Sequence, residues 1–255
     1  TKAKKYIAKG DVFQVVLSQR FERKINKTPL EIYNHLRLSN PSPFMFFFNF
    51  GDFKIIGSSP EILVRLRNNK VTIRPIAGTR PRGKTKAQDL KYKNDLLKDK
   101  KELSEHLMLL DLGRNDVGKV SKINTVKVTE SFNVEKYSHV MHIVSNVEGE
   151  FDNKNSIFET LLSGFPAGTV SGAPKIKAME IIDKLEKNKR KLYAGGIGYF
   201  TSSKEFDTCI TLRTALIKKN KIYVQSGAGI VADSNPENEY QETVNKAKAL
   251  MNAVD

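Results

Sequence analysis

Residues Val12 to Ile25, VFQVVLSQRFERKI, are rich in β-branched and aromatic side chains and, after the start, alternate apolar with polar. A long β-strand is therefore the element that any fold of this chain must accommodate. Its period of two sets Val12, Gln14, Val16, Ser18 and Arg20 on one face and Phe13, Val15, Leu17, Gln19 and Phe21 on the other. Such a strand needs neighbours, and four short patterns supply them near Phe44–Phe50, Phe53–Gly57, Glu61–Arg67 and Lys70–Arg74. Breaks at Gly51-Asp52, Ser59-Pro60 and Asn68-Asn69 make them read as antiparallel meanders.

Helical patterns interrupt the strands. Thr28-Pro29 opens one through about Ser39, with Thr28 as N-cap. Lys86 to about Leu112 reads as another, with Leu96, Leu103, Leu107 and Leu110 at helical spacings. Strands resume near Thr125–Phe132 and Tyr137–Glu150, followed by a helix at Ser156–Leu162 and a loop at Ser163–Pro174 too rich in Gly and Pro for a regular element. A helix at Lys175–Lys187, strands at Ile197–Thr201, Phe206–Ile217 and Lys221–Ser226, and a helix from Pro236 to about Ala253 complete the chain. Runs of strands with helices between them, without strict alternation, indicate an α+β fold.

Composition narrows the function classes. With 39% apolar and 28% charged residues over 255 positions, the chain is expected to fold as a globular protein. The longest apolar run, Phe44 to Phe48, is far short of the roughly 18 residues a spanning helix needs, so no membrane association is expected. Cys209 is the only cysteine, which precludes an intramolecular disulfide and suits a reducing cytoplasm. The N-terminus lacks an initiator methionine and reads as the start of a fragment. A net charge of +15 admits a basic nucleic-acid-binding module. The lysines of KDKKELSEH, KLEKNKRK and IKKNK nevertheless stand beside acidic residues or at turns, without interleaved aromatics, and read as solvated surface.

Two helices each carry glutamates three residues apart, Glu102 with Glu105 and Glu239 with Glu242, so each pair shares a helical face. Four such carboxylates suit a hard cation such as Mg²⁺, although the spacing alone fits ordinary solvated glutamates as well. Lys246 continues the second stripe, with Tyr240, Val244, Ala247 and Met251 opposite it. Arg213 is expected on one strand face with Asp207, Cys209, Thr211 and Ala215, as a fork for a carboxylate or as a solvent-facing arginine. His142 stands between Val140 and Val144 on a strand face, the setting of a core histidine or of a poised acid or base. PAGTVSGAP and QSGAGIV could offer backbone N–H groups to an anion, but neither has a phosphate-loop ending.

GSSPE (Gly57–Glu61), RPIAGTRPRG (Arg74–Gly83), EHLMLLDLGRND (Glu105–Asp116), VMHIVS, FPAGTVSGAPK, YAGGIGY, TLRTA, QSGAGIV and NEYQETVNKA follow one another in the order found in chorismate-utilising enzymes. The sequence resembles that family over nearly its whole length, and is similar to the catalytic part of anthranilate synthase component I. The resemblance implies an α+β fold with antiparallel sheets packed as a sandwich and flanking helices. It also implies that residues 1–255 form the chorismate-binding catalytic domain, with the tryptophan-sensing region outside them.

Carried over position by position, the resemblance implies that Glu105 and Glu242 coordinate Mg²⁺ and that Glu102 and Glu239 support it through water. Tyr193, Arg213 and the backbone amides near Gly227 and Gly229 match positions that hold the enolpyruvyl carboxylate of chorismate. Gly78, Thr79, Thr169 and Lys246 match the lining of the same pocket. Glu61 matches the general acid that protonates the departing ring hydroxyl, and His142 the residue that assists elimination of pyruvate. Isochorismate and salicylate synthases have a water-activating lysine where this chain has Gln14. Many aminodeoxychorismate synthases have a nucleophilic lysine in a PIKGT segment where this chain reads PIAGT, with Ala77. Both departures favour amination to anthranilate in tryptophan biosynthesis, with ammonia from a glutamine amidotransferase, component II. Aminodeoxyisochorismate synthase and aminodeoxychorismate synthase are the neighbouring readings.

Overall fold

Two Asn-containing dipeptides set the tightest hairpins. Asn68 and Asn69 adopt φ of 50° and 60°, and Lys219 and Asn220 φ of 50° and 56°, the left-handed pair that a two-residue turn between twisted strands requires. In the computed structural model, which describes residues 1–137 and 140–254 apart from the side chain of Ala249, the described residues form thirteen strands and seven α-helices, and these turns join two pairs of the strands. In order they are α1 (Lys2–Ala8), β1 (Gln14–Lys24), α2 (Pro29–Ser39), β2 (Phe44–Asn49), β3 (Phe53–Ser59), β4 (Ile62–Arg67), β5 (Lys70–Ile73), β6 (Ile76–Pro81), α3 (Lys86–Leu96) and α4 (Lys100–Gly118). There follow β7 (Lys127–Lys136), β8 (Val140–Glu150), α5 (Ile157–Ser163), a 3₁₀ turn (Gly168–Val170), β9 (Gly172–Ala173), α6 (Lys175–Leu185), β10 (Gly196–Phe200), β11 (Phe206–Ile210), β12 (Thr214–Lys218), β13 (Lys221–Ile230) and α7 (Pro236–Asn252). The fold is α+β. Among the described residues, no helix is long and apolar enough to cross a membrane.

The chain forms two compact units. The first comprises Thr1–Pro60, Pro166–Gly196 and Ile210–Asp255 and holds a six-stranded sheet of order β2-β3-β12-β13-β1-β9. β1 pairs with β13 antiparallel from Val15↔Ile230 to Lys24↔Lys221. Ile32 and Leu36 of α2, and Ala247 and Leu250 of α7, are buried with Ile222 and Val224 of β13. Ala178, Ile181 and Ile182 of α6 are buried with Val15. The sheet's other face carries Gln14, Val16 and Ser18 of β1 beside Gly229 and Gly227 of β13, as the sequence alternation requires.

The second unit comprises Glu61–Phe165 and Ile197–Cys209 and holds the sheet β10-β11-β4-β5-β8-β6, with β7 also paired to β8. α4 lies on β6 and β8, and Leu96, Met141 and Ile143 are buried together.

Several sequence expectations need correction. The four short strands do not form one meander, because Ser59-Pro60 ends the first hairpin in one sheet and the next hairpin belongs to the other. The span Lys86–Leu112 is two helices, since the Asp99 carboxylate accepts from the N–H groups of Lys101 and Glu102 and so starts a new one. Phe206–Ile217 is likewise two strands in different sheets, broken where Arg213 takes φ of 45°. Arg213 therefore lies on no strand face. In the expected strand Tyr137–Glu150, Ser138 and His139 lie outside the described residues. The Ser163–Pro174 loop contains β9, which pairs with the start of β1. The strand β6 carries no strong alternation and escapes a sequence reading.

Candidate active site

In the second unit the register between β6 and β8 shifts between Ala77 and Thr79, where Gly78 adopts φ of +69°. The bulge brings Gly78 and Thr79 to His142: Nδ1 of the imidazole lies 2.9 Å from the Gly78 carbonyl oxygen and 3.1 Å from Thr79 Oγ1. A carbonyl only accepts, so Nδ1 carries a hydrogen. The side chain is half-buried, with its ring edge-on to Tyr137, and is not a core histidine.

The same bulge meets Glu102 from α4. A Cβ at Gly78 would stand 3.2 Å from Glu102 Oε2. Arg80, two residues on, donates from Nε to Asp95 at 2.7 Å, from Nη2 to Asp99 at 2.7 Å and from Nη1 to Glu102 Oε1 at 3.4 Å. Burial and the charge of Glu105 raise the Glu102 carboxyl above its ordinary value, opposed by Arg80. Beside Glu105, His106 is fully buried, with Nε2 2.7 Å from Ser145 Oγ, and burial lowers its pKa to about 4, which keeps the ring neutral. Glu61 is buried directly before β4. The unit thus gathers Gly78, Thr79, His142 and Glu102 around one bulge, with Glu105 one helical turn from Glu102. Arg80, part of the RPIAGTRPRG motif but singled out by no role in the sequence, joins them.

In the first unit the convergence is on Gly227 of β13. A Cβ there would lie 2.7 Å from Tyr193 Oη and 2.9 Å from the Leu17 carbonyl, so only glycine lets the phenol approach the strand. Lys246 of α7 donates to the Gly227 carbonyl at 3.1 Å and pairs with Glu242 at 2.6 Å. Gly229 lies two residues along the same strand, opposite Val16. Gln14 is buried opposite Ala173. The Oγ1 of Thr169, in the 3₁₀ turn, is shielded from solvent without a hydrogen-bond partner among the described residues. Arg213 sits where the chain enters β12, and its carbonyl accepts from the N–H of Ser58.

Two expectations about α7 change. Glu239 is buried at 9% exposure and is no solvated glutamate, whereas Tyr240 is exposed. The buried stripe is Glu239, Thr243, Ala247 and Leu250, not the side of Tyr240. Within either unit, among the described residues, no three His, Cys, Asp or Glu side chains stand close enough to hold a metal ion. The donor chemistry still fits a hard cation. Glu102 and Glu105 share a helical face, and burial first, then the charge of Glu105, raises the Glu102 carboxyl, a cost that a divalent cation beside it would relieve.

The chain is similar to known proteins over nearly its whole length. Anthranilate synthase component 1 of Cereibacter sphaeroides is 62% identical over 254 residues, which is 100% of this chain and 51% of that protein. The chain thus spans about half the length of the curated relatives it matches. The crystal structure of anthranilate synthase component I from Streptococcus pneumoniae superposes with a TM-score of 0.91 at 47% identity, covering 98% of this chain and 55% of that one. The menaquinone-specific isochorismate synthase from Escherichia coli superposes at 0.89 with 27% identity, covering 100% and 59%. The family described as chorismate binding enzyme matches residues 1–252, and the chain belongs to it.

Proposed function

We propose that this chain is the chorismate-binding catalytic domain of an anthranilate synthase, aminating chorismate with ammonia and eliminating pyruvate. The observation that carries the reading is 62% identity along the entire chain to an anthranilate synthase component 1. Gln14 and Ala77 support it, because neither can act as a base or nucleophile where sister enzymes use lysine. Ammonia needs no such activation.

The two carboxylates of chorismate call for two kinds of cationic partner. Arg213, the hydroxyl of Tyr193 and the amides near Gly227 and Gly229 bind the enolpyruvyl carboxylate. Glu105 and Glu242 would hold Mg²⁺, with Glu102 and Glu239 behind them through water. When bound, Mg²⁺ supplies a positive charge that holds the ring carboxylate and draws electron density from the ring. Gly78, Thr79, Thr169 and Lys246 orient the ring. Glu61, a buried carboxyl, protonates the departing hydroxyl as the amine enters. His142, with its Nδ1 hydrogen directed at Gly78, presents Nε2 as the proton acceptor for elimination of pyruvate. The ammonia comes from a glutamine amidotransferase, component II, and the setting is the cytoplasm.

Incubation with chorismate, ammonium and Mg²⁺, with products identified by mass, tests the reading. Anthranilate and pyruvate in equal amounts are expected. Accumulation of isochorismate or 4-amino-4-deoxychorismate overturns it.

A further inference from the structure

Within the basic run KLEKNKRK, which as sequence reads as solvated surface, Glu186 and Arg190 are partly buried, with side chains 5% and 17% exposed. Arg190 donates from Nε and Nη2 to the Glu186 carboxylate, the shortest contact being 2.6 Å. Its Nη1 donates to the Val170 carbonyl at 2.6 Å and its Nη2 to the Val16 carbonyl at 2.6 Å. The same Glu186 oxygen accepts from Ser18 N and Ser18 Oγ, at 2.7 and 2.8 Å. Ser18 is the register partner of Gly227. The guanidinium carbon also lies 5.3 Å from the Tyr193 ring centroid, a cation–π distance.

A partly buried ion pair is by itself weak evidence of stabilisation, because desolvation offsets its attraction. What distinguishes this one is where its remaining donors go. They end on the carbonyl of Val170, next to Thr169, and on the carbonyl of Val16 in β1, and the guanidinium faces the ring whose hydroxyl rests on Gly227. We propose that Arg190, oriented by Glu186, is a positioning residue that fixes Tyr193, which binds the enolpyruvyl carboxylate, and the Gly168–Val170 turn, whose Thr169 lines the same pocket. The inference rests on the chorismate reading above. It goes beyond that reading by assigning preorganisation to a residue that touches no substrate. Lysine cannot replace the arginine, since one ammonium lacks the fork that reaches two carbonyls and a carboxylate together.

The test uses the whole chain and the variants Arg190→Lys, Arg190→Met, Glu186→Gln and Tyr193→Phe. The protein has no tryptophan, so the difference in near-ultraviolet circular dichroism between wild type and Tyr193→Phe isolates the Tyr193 band without substrate. Both Arg190 variants should erase that band, and both should raise KM for chorismate by about tenfold or more with a smaller change in kcat. In the Tyr193→Phe background, Arg190→Lys should raise KM by no more than about threefold further, as expected of coupled residues. A Tyr193 band retained in both Arg190 variants, or effects that multiply in the double variant, overturns the proposal. If Arg190→Met does not fold, Arg190→Lys and Glu186→Gln carry the same comparison. A wild-type chain that shows no chorismate turnover, yet loses the Tyr193 band on Arg190 substitution, refutes the chorismate reading and leaves the positioning role standing.

Discussion

His142 Nδ1 stands 2.9 Å from the carbonyl oxygen of Gly78, and that contact sets the tautomer of the ring. With its hydrogen on Nδ1, the neutral ring offers Nε2 as its acceptor. His142→Ala should leave amination of chorismate in place and slow elimination of pyruvate by about 10²-fold or more, as expected for loss of a positioned base. Mass analysis of quenched turnovers should then show aminodeoxyisochorismate ahead of anthranilate. Unchanged anthranilate formation would remove His142 from the elimination step.

Gly78 is the hinge of this arrangement. An alanine at φ of +69° is strained, and its methyl group would meet Leu96 at 3.1 Å, Glu102 Oε2 at 3.2 Å and Ile143 at 3.3 Å. Gly78→Ala should cost about 1–3 kcal/mol of stability and displace Glu102. Urea unfolding measures the first effect and Mg²⁺ titration calorimetry the second. A substitution neutral in both would show that the bulge is not needed.

The carboxylate pairs should divide by role. Glu105→Gln and Glu242→Gln each remove a charged oxygen ligand and should lower turnover by about 10²-fold or more at fixed Mg²⁺. Glu102→Gln and Glu239→Gln, acting through water, should cost about tenfold and be recovered in part by added Mg²⁺. Calorimetric Mg²⁺ binding equal to wild type in all four variants would discard the assignment.

Acid stability should depend on Asp89. Hydrogen bonds from Arg82, first, and from the Gly83 N–H hold its carboxyl well below the ordinary carboxylate range. A carboxyl depressed in the folded state binds its proton more tightly when unfolded, so its contribution is present above about pH 4 and disappears as pH falls toward the folded value. Asp89→Asn should therefore lower the urea midpoint at neutral pH and flatten the decline on acidification. An acid limb identical to wild type would show that other groups dominate it.

Elements with local causes were already legible in the sequence. Thr28 with Glu31, and Ser156 with Glu159, form capping boxes at the expected helix starts. The alternation of Val12–Ile25 separated the face bearing Gln14, Val16 and Ser18 from the face of Val15 and Leu17 before any neighbour was known. The motifs that resemble chorismate-utilising enzymes carried the family, and the helical spacing of Glu102 with Glu105 put two carboxylates on one face. That the hairpins flanking Ser59-Pro60 belong to different sheets, and that the run through Arg213 breaks, was settled by packing. Strand partners are chosen by packing between residues far apart in sequence, on which local alternation is silent. For the same reason Glu186 and Arg190 look like members of a solvated lysine-rich segment until β1 and the Val170 turn close over them. Charge in a sequence reports composition, whereas burial depends on what the rest of the chain brings to that spot.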